Sequence, residues 1–407
     1  MDKPIIVLDT ITTAQGGKRL LEHRVASLNK DPDFTNYLSC PEDAYFTGAF
    51  EEKGLPFIPF PMSRRLNPIR AAGEIFRFIR LLKKMNPDVV HAHTSKAGAV
   101  SRIGCALFNF GRRKKVYVCY QVHSFYFNSL SGLKRSLFLF LERFLAGLSD
   151  ALLFQNDHEL EQAKQYDMGR KALLINIGNG IKLNEFPFPR GPRRFVPWCV
   201  QSAADSYELK RQFIIICVAR IEPKKNHKML IDTVKIVSEK LVQRYGPEAG
   251  KNCLKVYCIG EIGEDWIPDY SAREQMEKII EFTGVKNRDE VAEYLRKGDL
   301  SVLTSIAEGK PRALMESMST GIPCIATDVC GTQDVVDDKK TGFLIPLGNT
   351  AAFADAILIL MEDPDLYEAF SKASYEKANR EFDEDRVIER LKDIYREKPK
   401  KQSRRLS

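Results

Sequence analysis

Short apolar runs alternate with stretches of helical periodicity along the whole chain, and the alternation restarts once near its middle. In the first half the apolar runs fall at Ile5–Asp9, Thr35–Cys40, Pro56–Phe60, Val89–His91, Lys115–Val122, Ala151–Phe154 and Ala172–Ile175. Between them, Ile69–Lys84 and Gly132–Leu148 carry apolar residues three and four apart, the helical signal. The second half repeats the scheme with strands at Phe213–Val218, Leu254–Ile259, Ile279–Thr283 and Leu300–Thr304, and a further one opened by Pro323. Such alternation implies a parallel sheet with right-handed crossovers and helices on both faces. Two doubly wound α/β domains are therefore expected.

The stretch "NIGNGIKLNEFPFPRGPRRFVPW" between the halves has the Pro, Gly and Arg density of a linker. Its Gly178-x-Gly180 lacks the third glycine and following helix of a dinucleotide fold. The expected domains are residues 1–190 and 205–380, followed by an amphipathic helix at Glu384–Glu397 and a basic tail at 398–407. At 407 residues each domain has enough chain for its own core. The start, "MDKPIIVLDT", reads as a first strand and not a signal peptide, and no apolar run reaches bilayer-spanning length. Nine scattered cysteines without a C-x-x-C pair point to a reducing cytoplasm.

The net charge of +8 is unevenly placed, with 27 Lys/Arg against 18 Asp/Glu in residues 1–190. The excess clusters at Arg64-Arg65, Arg77 to Lys84, Arg112 to Lys115 and Lys134-Arg135, and the chain closes on "REKPKKQSRRLS". Ordinary solvated surface is one reading. Attraction to an anionic membrane surface or to a phosphate-bearing acceptor is the other. No nucleic-acid-binding motif accompanies the patches, so nucleic acid is not expected as a partner.

Chemistry concentrates between Asp299 and Gly331, "DLSVLTSIAEGKPRALMESMSTGIPCIATDVCG". A strand leads into a loop with Glu308 and Gly309, then into a helix with Pro311 at its first position and Gly321 at its end. Loops at the carboxyl ends of strands are where open α/β sheets bind ligands. Free N–H groups from Lys310 through Arg312 to Ala313 suit a phosphate. Glu316, about 7–8 Å along the helix at the usual rise, could then accept from both hydroxyls of a ribose. An isolated pair of glutamates with this spacing is more often a loop charge and a solvated helix face.

Arg220 and Lys225 follow the buried strand Phe213–Val218, where two cations can grip a diphosphate. The loops Gly260–Glu264 and Gly284–Val285 should flank a nucleotide base. Gly16-Gly17, after the first strand, lets backbone approach a ligand closely. His91 and His93 share one side of their strand, but no acidic or thiol third ligand lies nearby in sequence, so no metal is expected. The Asp-x-Asp matches at Asp31, Asp363 and Asp383 precede strands or lie in late polar turns, unlike a metal-holding pair after an apolar strand.

The run "TSIAEGKPRALMESMSTGIPCIATDVCGTQDVV" resembles the E-x7-E region of retaining glycosyltransferases of family 4, with Ser317 and Ser319 where that family commonly has alanine. "CVARIEPKKN" is similar to its Gly-Arg-Leu-x-x-x-Lys-Asn stretch. "YQVHSFYF" resembles its Thr-x-His-Gly-Phe strand end, with Ser124 in place of glycine, and "HTSKAG" resembles members that build exopolysaccharide and other surface glycans. "IGEIGE" departs from the commoner Gly-Asp-Gly-Pro. The resemblance implies a GT-B fold, two Rossmann-like domains facing across a cleft, with the last helix crossing back onto the first domain. It implies transfer of a hexose-type sugar, with retention, from a nucleoside-diphosphate donor, read as UDP-linked, to a glycan hydroxyl on an acceptor such as a polyprenyl-diphosphate lipid. Glu308, His123, Arg220 and Lys225 would be catalytic. Gly17, Gly284, Gly309, Lys310, Pro311, Arg312 and Glu316 would hold the donor, with no cofactor. The competing readings are a pyridoxal-phosphate phosphorylase, whose signature has no match here, a non-catalytic sugar-nucleotide-binding protein, and a transferase with a small soluble acceptor.

Overall fold

In the computed structural model, which describes residues 3–12, 18–42, 48, 50–63, 67–183, 191–201 and 207–403, the chain divides into two compact units. Met1–Gly178 and Asp385–Ser407 form the first, and Asn179–Glu384 the second. Strands of the first unit are β1 (Ile5–Thr10), β2 (Phe34–Cys40), β3 (Phe57–Pro59), β4 (Val89–His93), β5 (Tyr117–Val122), β6 (Ala151–Phe154) and β7 (Leu173–Asn176). Its helices before the boundary are α1 (Lys18–Asn29), α2 (Pro68–Met85), α3 (Ser95–Asn109), α4 (Gly132–Ala146) and α5 (Asp157–Gln165). The seven strands are parallel, in the order β3-β2-β1-β4-β5-β6-β7. The order reverses between β1 and β4, where Asp9 lies in register with His91.

The second unit has a six-stranded parallel sheet, built from β10 (Phe213–Val218), β11 (Leu254–Ile259), β12 (Ile280–Gly284), β13 (Leu300–Leu303), β14 (Cys324–Thr327) and β15 (Gly342–Ile345). Its order is β12-β11-β10-β13-β14-β15, so the reversal falls between β10 and β13. Helices α6 (His227–Asn252), α7 (Trp266–Arg273), α8 (Arg288–Lys297), α9 (Arg312–Ser319), α10 (Thr350–Glu362) and α11 (Pro364–Glu381) complete the unit. Phe213 and Val256 on one sheet face are buried with Leu314 and Phe353, while Ile216 and Ile259 on the other are buried with Leu295 in a separate cluster. This is the outcome expected of a parallel sheet covered on two sides.

The boundary differs from the one expected at residue 190. Ile181 is fully buried in the core of the second unit and pairs with Asp383, so the chain enters that unit already at Asn179. Nor is the described part of the supposed linker free. Arg193 donates to the carbonyls of Thr320 (2.9 Å) and Leu295 (2.8 Å) and also to that of Gly298. It thereby satisfies carbonyls that helix ends leave without intrahelical partners. Trp198 is 2% exposed and donates its indole N–H to Met361, and a small antiparallel pair follows, β8 (Cys199–Gln201) with β9 (Tyr207–Leu209).

The last helix, α12 (Glu384–Ser403), runs six residues past the expected end at Glu397 and takes up part of the basic tail. Val387, Leu391, Ile394 and Tyr395, at helical spacing, pack on Val7, Val89 and Cys119 of the first sheet. Each side chain so buried is worth roughly 1.5–3 kcal/mol. Arg396 holds both Asp31 and Asp33 at 3.0 Å and Lys392 holds Asp31 at 3.1 Å, so this Asp-x-Asp serves helix docking.

Candidate active site

Each unit carries a polar cluster where its strand order reverses, the position at which doubly wound sheets bind ligands. In the second unit, β10 is followed by Arg220 and by a 3-10 turn, Pro223–Lys225, which ends on Asn226 in the left-handed conformation (φ 52°). The loop after the neighbouring β13 is bonded to this turn. The Thr304 hydroxyl sits 3.1 Å from the carbonyls of both Lys225 and Asn226, and Ile306 N–H donates to Lys224 at 2.8 Å. From the other side, the Thr327 hydroxyl donates to the Ser305 carbonyl at 2.5 Å and Glu308 N–H donates to Cys330 at 3.2 Å. Gly331 (φ 87°) passes so close that a Cβ there would lie 2.2 Å from the Gly309 carbonyl oxygen.

This framework fixes an ion pair. Lys225 Nζ lies 2.6 Å from Glu308 Oε1, and the buried Ser305 hydroxyl donates to the same oxygen at 2.5 Å. Glu308 is 9% exposed, so the pair is held by its surroundings and not by chance contact in water. Arg220 is different. Among the described residues its exposed guanidinium meets only Glu222, at 3.1 Å, a surface pair of small net value that a multiply charged anion can displace.

The other expected donor ligands fall as follows. Pro311 is the residue before the helix, with extended backbone (ψ 108°), and α9 begins at Arg312. It is therefore a cap and not the first helical residue. Arg312 lies 3.6 Å from Glu384 Oε1, and Lys310 Nζ sits 5.3 Å from the centre of the Phe382 ring. Both cations thus face the end of α11 and the residues after it. Glu316 is half-buried on α9. Gly284 ends β12 with φ 72°, and its carbonyl accepts from Gly260 N–H at 3.0 Å. A Cβ at Gly260 would be 2.1 Å from the Ala219 carbonyl oxygen, so the loops after β10, β11 and β12 meet through glycine backbone. Gly17 lies outside the described residues. Sequence reasoning missed Ser305, Thr304 and Thr327. Ser305, three residues before Glu308, was the one with a local signal.

In the first unit, the expectation that His91 and His93 lack an acidic neighbour is overturned. Asp9, on the adjacent strand, brings a carboxylate within ligand distance of both rings. His93 Nε2 donates to Asp9 Oδ1 at 2.8 Å, Asn36 donates to Asp9 Oδ2 at 2.9 Å, and Arg24 NH1 lies 3.8 Å from Asp9 Oδ1. Arg24 also donates to Gln121 at 3.0 Å. Its guanidinium puts a positive charge where a metal ion would go, and all four side chains of this centre are buried. The donor set does not suit a metal.

The cluster continues outward to His123. With His93 Nε2–H directed at Asp9, His93 Nδ1 accepts from His123 Nε2–H at 3.4 Å, and Gln155 donates to His123 Nδ1 at 2.9 Å. Both nitrogens of His123 are thus engaged within its own unit. The longer contact exceeds the usual N–H donor range, so Nε2–H is the group His123 can turn to a ligand. On the inner side, Tyr395 of α12 lies 2.6 Å from His91 Nδ1.

Burial holds all three histidines neutral. Burial, and then the charges of His93, Arg24 and His123, push His91 well below the ordinary range. Burial also outweighs the Asp9 bond at His93 and the Gln155 bond at His123, and His123 falls to about 3. Asp9 stays charged: burial opposes ionisation, but His93, Arg24 and Asn36 together win. The unfolded chain therefore takes up protons first as pH falls below about 6.5, and stability present above that pH is lost on acidification. Each histidine contributes up to about 1.4 kcal/mol per pH unit until its folded form titrates. Melting of the full chain should fall steeply between pH 7 and 5, and His91→Gln should flatten that slope. A melting temperature independent of pH over this range would contradict the account.

Comparison with known proteins fits both units. Residues 18–180 match the family described as "Glycosyl transferase 4-like domain" and residues 202–377 the family "Glycosyl transferases group 1". An Escherichia coli protein named UDP-Gal:alpha-D-GlcNAc-diphosphoundecaprenol alpha-1,3-galactosyltransferase is 26% identical, over 88% of each chain. A Campylobacter jejuni N,N'-diacetylbacillosaminyl-diphospho-undecaprenol alpha-1,3-N-acetylgalactosaminyltransferase is 21% identical, over 90% of this chain and 92% of its own. Among solved structures, Anabaena HepE, in complex with UDP and glucose, superposes with a TM-score of 0.74 at 18% identity, over 96% of this chain and 99% of that one. Sucrose-phosphate synthase from Thermosynechococcus elongatus gives 0.72 at 14% identity, over 97% and 98%. These likenesses identify the fold as GT-B. With a matching family description on each of its two units, the chain belongs to the family-4 type of glycosyltransferases.

Proposed function

We propose that this glycosyltransferase moves a hexose-type sugar from a UDP-linked donor to a hydroxyl of a lipid-linked glycan during surface polysaccharide synthesis, with retention and without a metal. The observation that carries the reading is the Lys225–Glu308 pair, fixed at the strand reversal of the second unit. Lys225 and the displaceable Arg220 offset charge on the departing diphosphate, and Glu308 orients the sugar hydroxyls. Glu316 takes the ribose, while Gly309, Pro311, Gly284 and the backbone of Lys310 and Arg312 line the rest of the donor. Within the first unit, Gly17 and His123 are proposed to contact a sugar. The relatives named for diphosphoundecaprenol acceptors support the lipid-linked acceptor, and the UDP-bound neighbour supports the base.

Thermal shift against a panel of nucleotide sugars tests the donor. A ligand at a hundredfold excess over its Kd adds about 2.7 kcal/mol of stability. UDP-sugars should raise the melting temperature above the response to other nucleotide sugars. A flat panel, with no turnover, would leave the proposal without its donor.

A further inference from the structure

Helix α4 exposes a row of large apolar side chains. Leu133, Leu137, Phe140, Leu141 and Phe144 are between 40% and 91% exposed. At about 100° per residue they fall within roughly a quarter to a third of the helix circumference. The opposite side of α4 is the one that packs, with Leu145 and Ala146 buried and Phe138 and Leu139 against the core. A row of this size on one helix is far more than the single exposed apolar residues common on protein surfaces.

Charge identifies what covers it. Exposed Lys134 and Arg143 flank the row on its two sides. The one acidic residue of α4, Glu142, is turned inward and neutralised by the buried Arg102 of α3 at 2.7 Å. At the end of α3, Leu107 and Phe110 are exposed as well. An apolar strip edged by cations, with its single carboxylate cancelled, complements an anionic bilayer leaflet: acyl chains below, phosphates at the rim.

We infer that α4 is the membrane-seating element of this protein, lying in the interfacial plane with its apolar row among the acyl chains. This rests on the proposal of a lipid-linked acceptor and specifies where the lipid surface is met. It also moves the emphasis away from the cation run at Arg112 to Lys115. There, Lys114 is held by Asp88 at 2.8 Å, while Arg112 is bonded to Asn86 and stacked on Phe108 at 4.0 Å. Attachment is therefore apolar with electrostatic support, and salt alone does not release it.

Flotation of the full chain with vesicles of phosphatidylglycerol and phosphatidylethanolamine tests this. Wild type should float, less well with phosphatidylcholine, and retain a bound fraction in 0.5 M salt. Phe140→Ser with Phe144→Ser should cut partitioning at least tenfold with an unchanged melting temperature. Tryptophan at Phe140→Trp should be quenched by brominated acyl chains beyond the wild-type background. Unaltered binding of the double variant, or complete release by salt, would overturn the assignment. So would a wild-type dimer that the same variant converts to monomer without any vesicle binding, since the row would then join two copies. Nucleotide-sugar thermal shift is read separately in the same variants. A failed donor panel with intact flotation retires the transfer reading alone, and the converse retires only the membrane element.

Discussion

Glu308→Gln should abolish sugar transfer while the protein remains folded and binds its donor. The amide keeps the shape of the side chain and can still accept from Ser305, so the loop framework survives. What it loses is the charge that meets Lys225 at 2.6 Å. A neutral carbonyl accepts from sugar hydroxyls about half as strongly as a carboxylate. The Lys225 cation, relieved of its partner, should hold the donor diphosphate at least as tightly as before. Turnover therefore falls while donor affinity does not, a split that a merely destabilised variant would not show. Combining the change with Lys225→Ala should cost less than the sum of the two, because the residues act as one unit. Near-normal turnover in Glu308→Gln would remove this carboxylate from the mechanism.

Arg220→Ala and Lys225→Ala should each lower the rate by a hundredfold or more, and chelation of divalent metal should leave the wild-type rate almost unchanged. A departing nucleoside diphosphate builds negative charge, and loss of one group that stabilises it typically costs about 2.7–4 kcal/mol. The two variants should differ in character. Arg220 is exposed and, among the described residues, bound only to Glu222, so its removal should leave the fold untouched and weaken donor binding as well as rate. Lys225 is tied to the nearly buried Glu308, so its loss also strands a carboxylate and lowers the melting temperature. Activity lost in EDTA and restored by magnesium or manganese would overturn the metal-free reading.

How far the sequence could be read depended on whether the cause of a feature was local. Phe213–Val218 was legible to the residue as an unbroken apolar run after Gln212, and Leu254–Ile259, though interrupted by Lys255, ends cleanly at Gly260. The loop that carries Glu308 was legible from Ser305, Gly309 and Pro311. Asp9 was not seen as a partner of His91 and His93, since what joins them is the pairing of β1 with β4, eighty residues apart. The segment around Arg193 looked like a linker for a similar reason. Its order comes from carbonyls more than a hundred residues downstream, and no neighbouring residue records that bond. Pro311 was misplaced by a single position, which a cap proline and a first-turn proline do not distinguish in sequence.

The docking of α12 on the first sheet has a consequence for how the chain is made. The second unit is one continuous segment, Asn179–Glu384, and all of its residues have been synthesised before α12 is complete. The first unit begins earlier yet lacks the helix that covers Val7, Val89 and Cys119, and Tyr395 must reach His91 across 304 residues. Domains usually finish folding in the order of their synthesis. Here that order is inverted: the part that leaves the ribosome first is completed last, and its open sheet face waits while the second unit is translated.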